Sequence, residues 1–171
     1  KQYIVWQIFI KLFLLAKNKG YHTAFFHGAQ ENSMGFKAYS HSVGYQEYYG
    51  RESYGNDADF DGHWSIWDEE FLQFFAQKMN SFPQPFATAV FTATSHHPYV
   101  IPERYAAIFE EGPLPIHKCV AYTDMAVRRF FETASAMPWY DNTLFVICAD
   151  HTNIVEIPEY GTEAGRYKVP I

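Results

Sequence analysis

Residues 85–98 read PFATAVFTATSHHP, from Pro85 to Pro98. The core of that stretch, Phe86 to Thr94, is rich in β-branched and aromatic residues and carries no charge. A strand buried on both faces has this composition. It ends at Ser95-His96-His97-Pro98. Pro98 drives its predecessor toward extended geometry, so the His96 and His97 side chains are expected to point apart. One of them would enter a site while the other packs or meets solvent.

Working back toward the N-terminus, Pro83 and Pro85 break a helix that opens at Trp64 to Glu70 and runs to about Met79, with Asp68 as its cap and acidic residues in its first turn. Gly50 to Gly62 is polar, with Gly55-Asn56-Asp57 as turn chemistry, and reads as a long surface loop. Tyr45 to Tyr49 is a short aromatic strand. Residues 28–44 read as a loop and then a helix capped by Asn32 or Ser33 and stopped by Gly44. Tyr21 to Phe26 (YHTAFF) is a strand closed by His27-Gly28, and residues 3–17 form a largely buried helix stopped by Asn18-Lys19-Gly20. Toward the C-terminus, residues 99–117 are irregular and Pro-punctuated. His117 to Glu132 is helical, extending toward Ala136. After Asn142 comes a second apolar run, Thr143 to Ala149 (TLFVICA), read as another buried strand with Asp150-His151 at its carboxyl end. Tyr167 to Ile171 reads as the start of a further strand. This alternation of helix and strand predicts an α/β fold, a three-layer α/β/α arrangement around a mostly parallel central sheet.

The chain has 171 residues, a net charge of −6, 48% hydrophobic and 19% aromatic residues. That is too apolar for a disordered chain, and the acidic balance excludes a general nucleic-acid binder, whose affinity comes from Lys and Arg on phosphates. Two cysteines, Cys119 and Cys148, are too few for a disulfide framework and are expected as buried thiols. The apolar run Tyr3 to Ala16 is shorter than a membrane span needs, and no small-residue cleavage site follows it. No GxSxG elbow, phosphate-binding P-loop or GxGxxG fingerprint occurs.

In parallel α/β sheets ligands bind at the carboxyl ends of the strands. Three predicted strand ends carry histidine: His27, His96 with His97, and Asp150-His151. Asp150 and His151 offer a carboxylate and an imidazole, both ligands for divalent cations. Each of these residues alone is more often a turn or packing residue. Their coincidence at three strand ends points to a site that grips an anionic group near a metal. Asp61 and Asp68, flanking Trp64, read as turn and cap residues, and Glu110-Glu111 as a solvated face.

The segments GYHTAFFHG (Gly20 to Gly28), GYQEYYG (Gly44 to Gly50), FDGHWSIWDEEF (Phe60 to Phe71), PFATAVFTATSHHPY (Pro85 to Tyr99), YTDMAVRRFF (Tyr122 to Phe131) and YDNTLFVICADHT (Tyr140 to Thr152) occur in that order. Together they resemble the sulfatase-like branch of the alkaline phosphatase superfamily, most closely the lipoteichoic acid synthase type of phosphoglycerol transferase. The resemblance implies an incomplete alkaline phosphatase-like fold and metal-dependent cleavage or transfer of phosphate or sulfate esters through a covalent intermediate. It implies Asp150 and His151 as ligands of a divalent metal, manganese in this branch, with zinc, calcium or magnesium as alternatives. It implies His96 and His27 as catalytic and substrate-contacting residues, with His97 beside them. It also implies a lipid headgroup among the possible substrates, and an extracytoplasmic location at the cell membrane through N-terminal helices. Met34 and Phe36 stand where the family carries an aromatic residue and an anion-gripping Arg, which leaves a sulfate ester or another phosphodiester headgroup open. The family nucleophile and an acidic metal ligand lie upstream of the GYxTAFFHG segment, and residues 1–19 contain no Thr, Ser, Cys, Asp or Glu. Residues 1–171 are therefore expected to be an internal part of a catalytic domain, inactive by itself and exposing apolar strand edges. The rival reading is a non-catalytic α/β binding module without a nucleophile.

Overall fold

The computed structural model describes residues 12–169. Most of the predicted first helix lies outside the described residues, as do the last two residues of the predicted terminal strand. Three strands, β1 (His22–His27), β2 (Glu47–Tyr49) and β3 (Phe86–Phe91), form one parallel sheet in the order β2-β1-β3. β1 runs beside β3 residue for residue, from His22 opposite Phe86 to His27 opposite Phe91. Helices occupy residues 12–18 (α1), Phe36–Ser42 (α2), Arg51–Tyr54 (α3), Asp68–Met79 (α4) and Ile116–Ala134 (α5).

The period of two along a strand sorts the side chains into layers. Ala24 and Phe26 of β1, with Phe86 and Val90 of β3, face α4 and α5, where Phe71, Phe75, Ala76, Ala126 and Phe130 complete the main core. Phe25, Ala87 and Ala89 face the other way, onto Phe13 of α1 and onto Val43 and Tyr45. Helices thus cover both faces of a parallel sheet, the expected three-layer α/β arrangement. His27 and Phe91 share the α1 side of the sheet with Phe25 and Ala89, at the carboxyl end.

α4 forms where the sequence supplies Asp68, Glu69 and Glu70 in the first turn and Lys78 in the last, charges that suit the helix dipole. It buries Phe71, Leu72, Phe75, Ala76 and Met79 at helical spacing. α5 starts after Pro115 and buries Cys119, Tyr122, Ala126 and Phe130 on one face. Phe75 and Phe130 stack at 5.5 Å between the two helices. Glu69 is buried and accepts from Arg104 at 2.9 Å, from Tyr105 Oη at 2.7 Å and from Arg129 of α5. Burial of Phe26, fully covered at 0% exposure, is worth roughly 1.5–3 kcal/mol.

Thr143–Ala149 is not a strand: Leu144, Val146 and Ile147 are 89%, 66% and 60% exposed, and Cys148 is exposed too. Phe145 is the side chain of that run that packs, against Phe131 at 5.0 Å and Tyr140 at 5.3 Å. A β-prone composition gives a tendency, whereas a strand also needs an edge to pair its N–H and C=O groups. Among the described residues the outer edge of β3 carries no partner. Cys119 is buried, as expected, and both thiols are free. Asp68 opens α4 without capping it, because its carboxylate is engaged by the loop after β3. Neither Asn32 nor Ser33 caps α2, which starts from Gly35 in the left-handed region at φ +75°, while the Ser33 hydroxyl donates to Gln30 O. The predicted loop at 50–62 contains α3 and a 3-10 turn at Asp57–Asp59. Tyr167 ends a 3-10 turn at Gly165–Tyr167. No helix among the described residues is long and apolar enough to cross a membrane.

Candidate active site

His27 closes β1 and is 5% exposed. Its Nδ1 lies 3.0 Å from the Phe91 carbonyl, the residue beside it in the sheet. A carbonyl only accepts, so the ring proton sits on Nδ1 and Nε2 presents its lone pair. Burial lowers the His27 pKa from its ordinary 6.5, against the opposing effect of the Phe91 hydrogen bond. His27 is therefore a neutral acceptor near pH 7, suited to take a proton or bind a cation. Phe36 and Phe91 cover it, with ring centroids at 4.8 and 5.1 Å. The next residue, Gly28, lets the following segment pass close by. A Cβ there would come within 3.3 Å of the Ile66 backbone, whose N–H donates to Gly28 O at 3.0 Å.

Beyond β3 the chain turns at Thr94, which is buried, and exposes His96 and His97. Asp68 Oδ1 accepts the N–H groups of Ala93 at 2.9 Å and Thr94 at 3.3 Å, and Oδ2 accepts Thr123 Oγ1 at 2.9 Å. Burial pushes the Asp68 carboxyl up, opposed by these three donors. The root of the His96 loop is thus pinned to α4 and α5. The two histidines go to different partners, as their spacing predicts: His96 meets Trp64 edge-on at 5.0 Å and His97 meets Tyr99 at 5.8 Å. His96 Nδ1 lies 2.9 Å from His97 O, so His96 also keeps Nε2 outward.

Asp150 and His151 follow the unpaired run and are about half exposed, 55% and 52% at their side chains. His151 Nδ1 lies 2.7 Å from Thr152 O, and its Nε2 lies 3.3 Å from Asp150 Oδ2. A neutral ring with its proton on Nδ1 sets a lone pair against a carboxylate there. A proton on Nε2 or a shared cation satisfies that geometry. His151, Thr152, Asn153, Arg166 and Tyr167 line a shallow cleft of about 350 Å³. Tyr99 donates to Asn153 Oδ1 at 2.9 Å and ties this segment to the His96 loop.

The structure thus places three histidines, His27, His96 and His151, each with Nδ1 at a backbone carbonyl; Nε2 of His151 faces Asp150. Asp150 and His151 have the donor chemistry of a divalent-cation ligand pair, but a tetrahedral site needs four ligands. Among the described residues no group of three or more His, Cys, Asp or Glu side chains is poised to hold a metal. The pair by itself supplies two of the ligands that such an ion needs. Asp61 is a turn residue, its Oδ1 taking the N–H groups of His63, Trp64 and Ser65. Nothing local in the sequence marks the role of Trp64, since 33 residues separate it from the His97 carbonyl it binds.

The sulfatase family model matches residues 6–171. Lipoteichoic acid synthase-like YvgJ of Bacillus subtilis (strain 168) is 26% identical over 145 residues, covering 82% of this chain and 24% of that protein. Phosphoglycerol transferase I of Citrobacter koseri is 25% identical over 147 residues, covering 80% of this chain and 19% of that protein. A crystal structure of a protein in the alkaline phosphatase superfamily from Vibrio parahaemolyticus superposes with a TM-score of 0.76 at 26% identity, over 92% of this chain and 39% of that one. The chain spans about a quarter or less of the length of the curated relatives it matches.

Proposed function

This chain belongs to the sulfatase family, and on that footing we propose that it is the part of a phosphate- or sulfate-ester enzyme that presents histidines to the ester group. The observation that carries this reading is the shared posture of His27 and His96, each with Nδ1 bound to a carbonyl at the carboxyl side of a parallel sheet. Nε2 of such a ring accepts a proton from an attacking hydroxyl or, once protonated, returns one to a leaving oxygen. His27, held neutral by burial, serves as acceptor. His96, on the exposed loop, is the group a headgroup reaches first.

In the whole protein, Asp150 and His151 would contribute two of the ligands to a divalent cation of the manganese type, the others coming from outside this pair, and residues 1–171 would form part of a larger catalytic domain. Bound there, the ion would supply Lewis-acid polarisation of the ester oxygen. A phosphoglycerol headgroup is one substrate candidate, because phosphoglycerol transferase I is among the relatives. Membrane attachment at an extracytoplasmic face would come from elsewhere in the protein. The test is hydrolysis of aryl phosphate and aryl sulfate by the full-length protein with Mn²⁺, comparing wild type with His96→Ala and Asp150→Ala. Losses of about 10²-fold or more are expected in both variants. Wild-type rates in both would refute the assignment.

A further inference from the structure

We propose that Trp64 is a positioning residue for His96, fixing through the His97 carbonyl the tautomer and ring orientation that His96 presents to an ester. The inference rests on the reading of His96 as an active-site group and adds a residue to it.

Trp64 lies in the segment between the Asp57–Asp59 turn and α4, and its side chain is not there to fill the core. It is 43% exposed, whereas Trp139 is 3% exposed within the main core. Its indole N–H donates to His97 O at 2.6 Å. A carbonyl oxygen has two lone pairs, and the second of this one takes His96 Nδ1 at 2.9 Å. One acceptor therefore serves both residues, and its direction in space decides where the imidazole points. The Trp64 ring also stands edge-on to His96, at 5.0 Å and 72°, and limits rotation of the imidazole about its own axis.

Both ends of this arrangement are anchored. On one side, Asp61 Oδ1 gathers the N–H groups of His63, Trp64 and Ser65 at 2.8, 2.7 and 3.1 Å and sets the Trp64 backbone. On the other side, Asp68 holds the Ala93 and Thr94 amides at the root of the His96 loop. Without the indole N–H, the His97 carbonyl is free to turn toward solvent. His96 then loses the acceptor that keeps its proton on Nδ1, and Nε2 is no longer reliably the outward lone pair. A histidine in the wrong tautomer is positioned but chemically idle.

The test uses the chain labelled with ¹⁵N-histidine. Trp64→Phe keeps an aromatic ring without the N–H donor. Replacement of Trp64 by β-(3-benzothienyl)alanine keeps the indole shape and removes the N–H alone. The expected result for both is a shift of the His96 ring nitrogens from a single Nδ1–H form to a tautomeric mixture, with the melting temperature moved by no more than about 2 °C. In the full-length protein, ester cleavage is expected to fall about tenfold in kcat with KM little changed, and to fall no further when His96 is already Ala. An unchanged His96 ¹⁵N spectrum in the benzothienyl variant overturns the proposal. So does an equal loss of activity from Trp64→Phe in the His96→Ala background. If the full-length protein cleaves no ester, the functional reading falls separately, and the nitrogen spectrum still decides the role of Trp64.

Discussion

β3 and the run Thr143–Ala149 are alike in sequence and opposite in fate. Both are short, apolar and followed within a few residues by a histidine. β3 pairs with β1 along its whole length and presents its side chains to two layers of helices. The second run pairs with nothing among the described residues and leaves Leu144 89% exposed, with Phe145 its seated side chain. The difference teaches that a strand is a relation between two edges. Composition decides whether a segment tolerates the sheet, and a neighbour decides whether it joins one. The contrast extends to the chemistry at the ends of the two runs. The His96 loop is pinned by Asp68, whereas Asp150 and His151 pair mainly with each other and with the adjoining backbone.

The sharpest way to break this comparison is to truncate one apolar side chain in each region. Phe26→Ala, in the layer shared by β1, α4 and α5, is expected to cost about 3–5 kcal/mol in urea unfolding. Leu144→Ala is expected to stay within about 0.5 kcal/mol. A loss of 2 kcal/mol or more for Leu144→Ala would mean that the second run packs after all.

The two thiols give the next contrast. Cys119 is buried, and burial raises its thiol pKa to about 11. Cys148, in the unpaired run, is exposed. A maleimide at neutral pH should modify Cys148 at least about a hundredfold faster than Cys119 in the folded chain, and both alike in denaturant. Mass spectrometry of the labelled peptides reads the ratio, and equal rates under native conditions would erase the distinction.

The smallest effect concerns acid. His27 has a folded pKa below its ordinary 6.5, so between those two values the unfolded chain binds the extra proton. Stability is then level above about pH 6.5 and falls as the pH drops through that window, by at most about 1.4 kcal/mol per pH unit. Denaturant midpoints across pH 5–8 should show that slope in the wild type and a shallower one in His27→Gln. An identical slope in both would mean that His27 titrates as an ordinary exposed imidazole.

Much of the scaffold was legible in the sequence because its signals are local. The period-two apolar pattern of β1, the helical spacing in α4 and α5, and the Gly and Pro stops between them all act within a few residues. That His27 closes a strand and that His96 and His97 follow one was legible for the same reason, whereas Asp150 and His151 follow a run that is no strand. What escaped depends on partners distant in sequence. Asp68 looked like a cap because the acceptor role of a carboxylate at a helix start is usually local, yet its amide partners lie 25 and 26 residues on. Trp64 carried no mark of its link to His97. Residues 143–149 carried the composition of a buried strand, and composition says nothing about whether an edge is there to receive it.

Glu69 has a consequence of a mechanical kind. Its one carboxylate collects Arg104 and Tyr105 from the irregular stretch after the His96 loop and Arg129 from α5, elements 35, 36 and 60 residues away along the chain. The loop that carries the histidines is therefore moored downstream as well as at its root, and both moorings, Asp68 and Glu69, are neighbours on the first turn of α4. A displacement of that turn would therefore pull on both ends of the loop together.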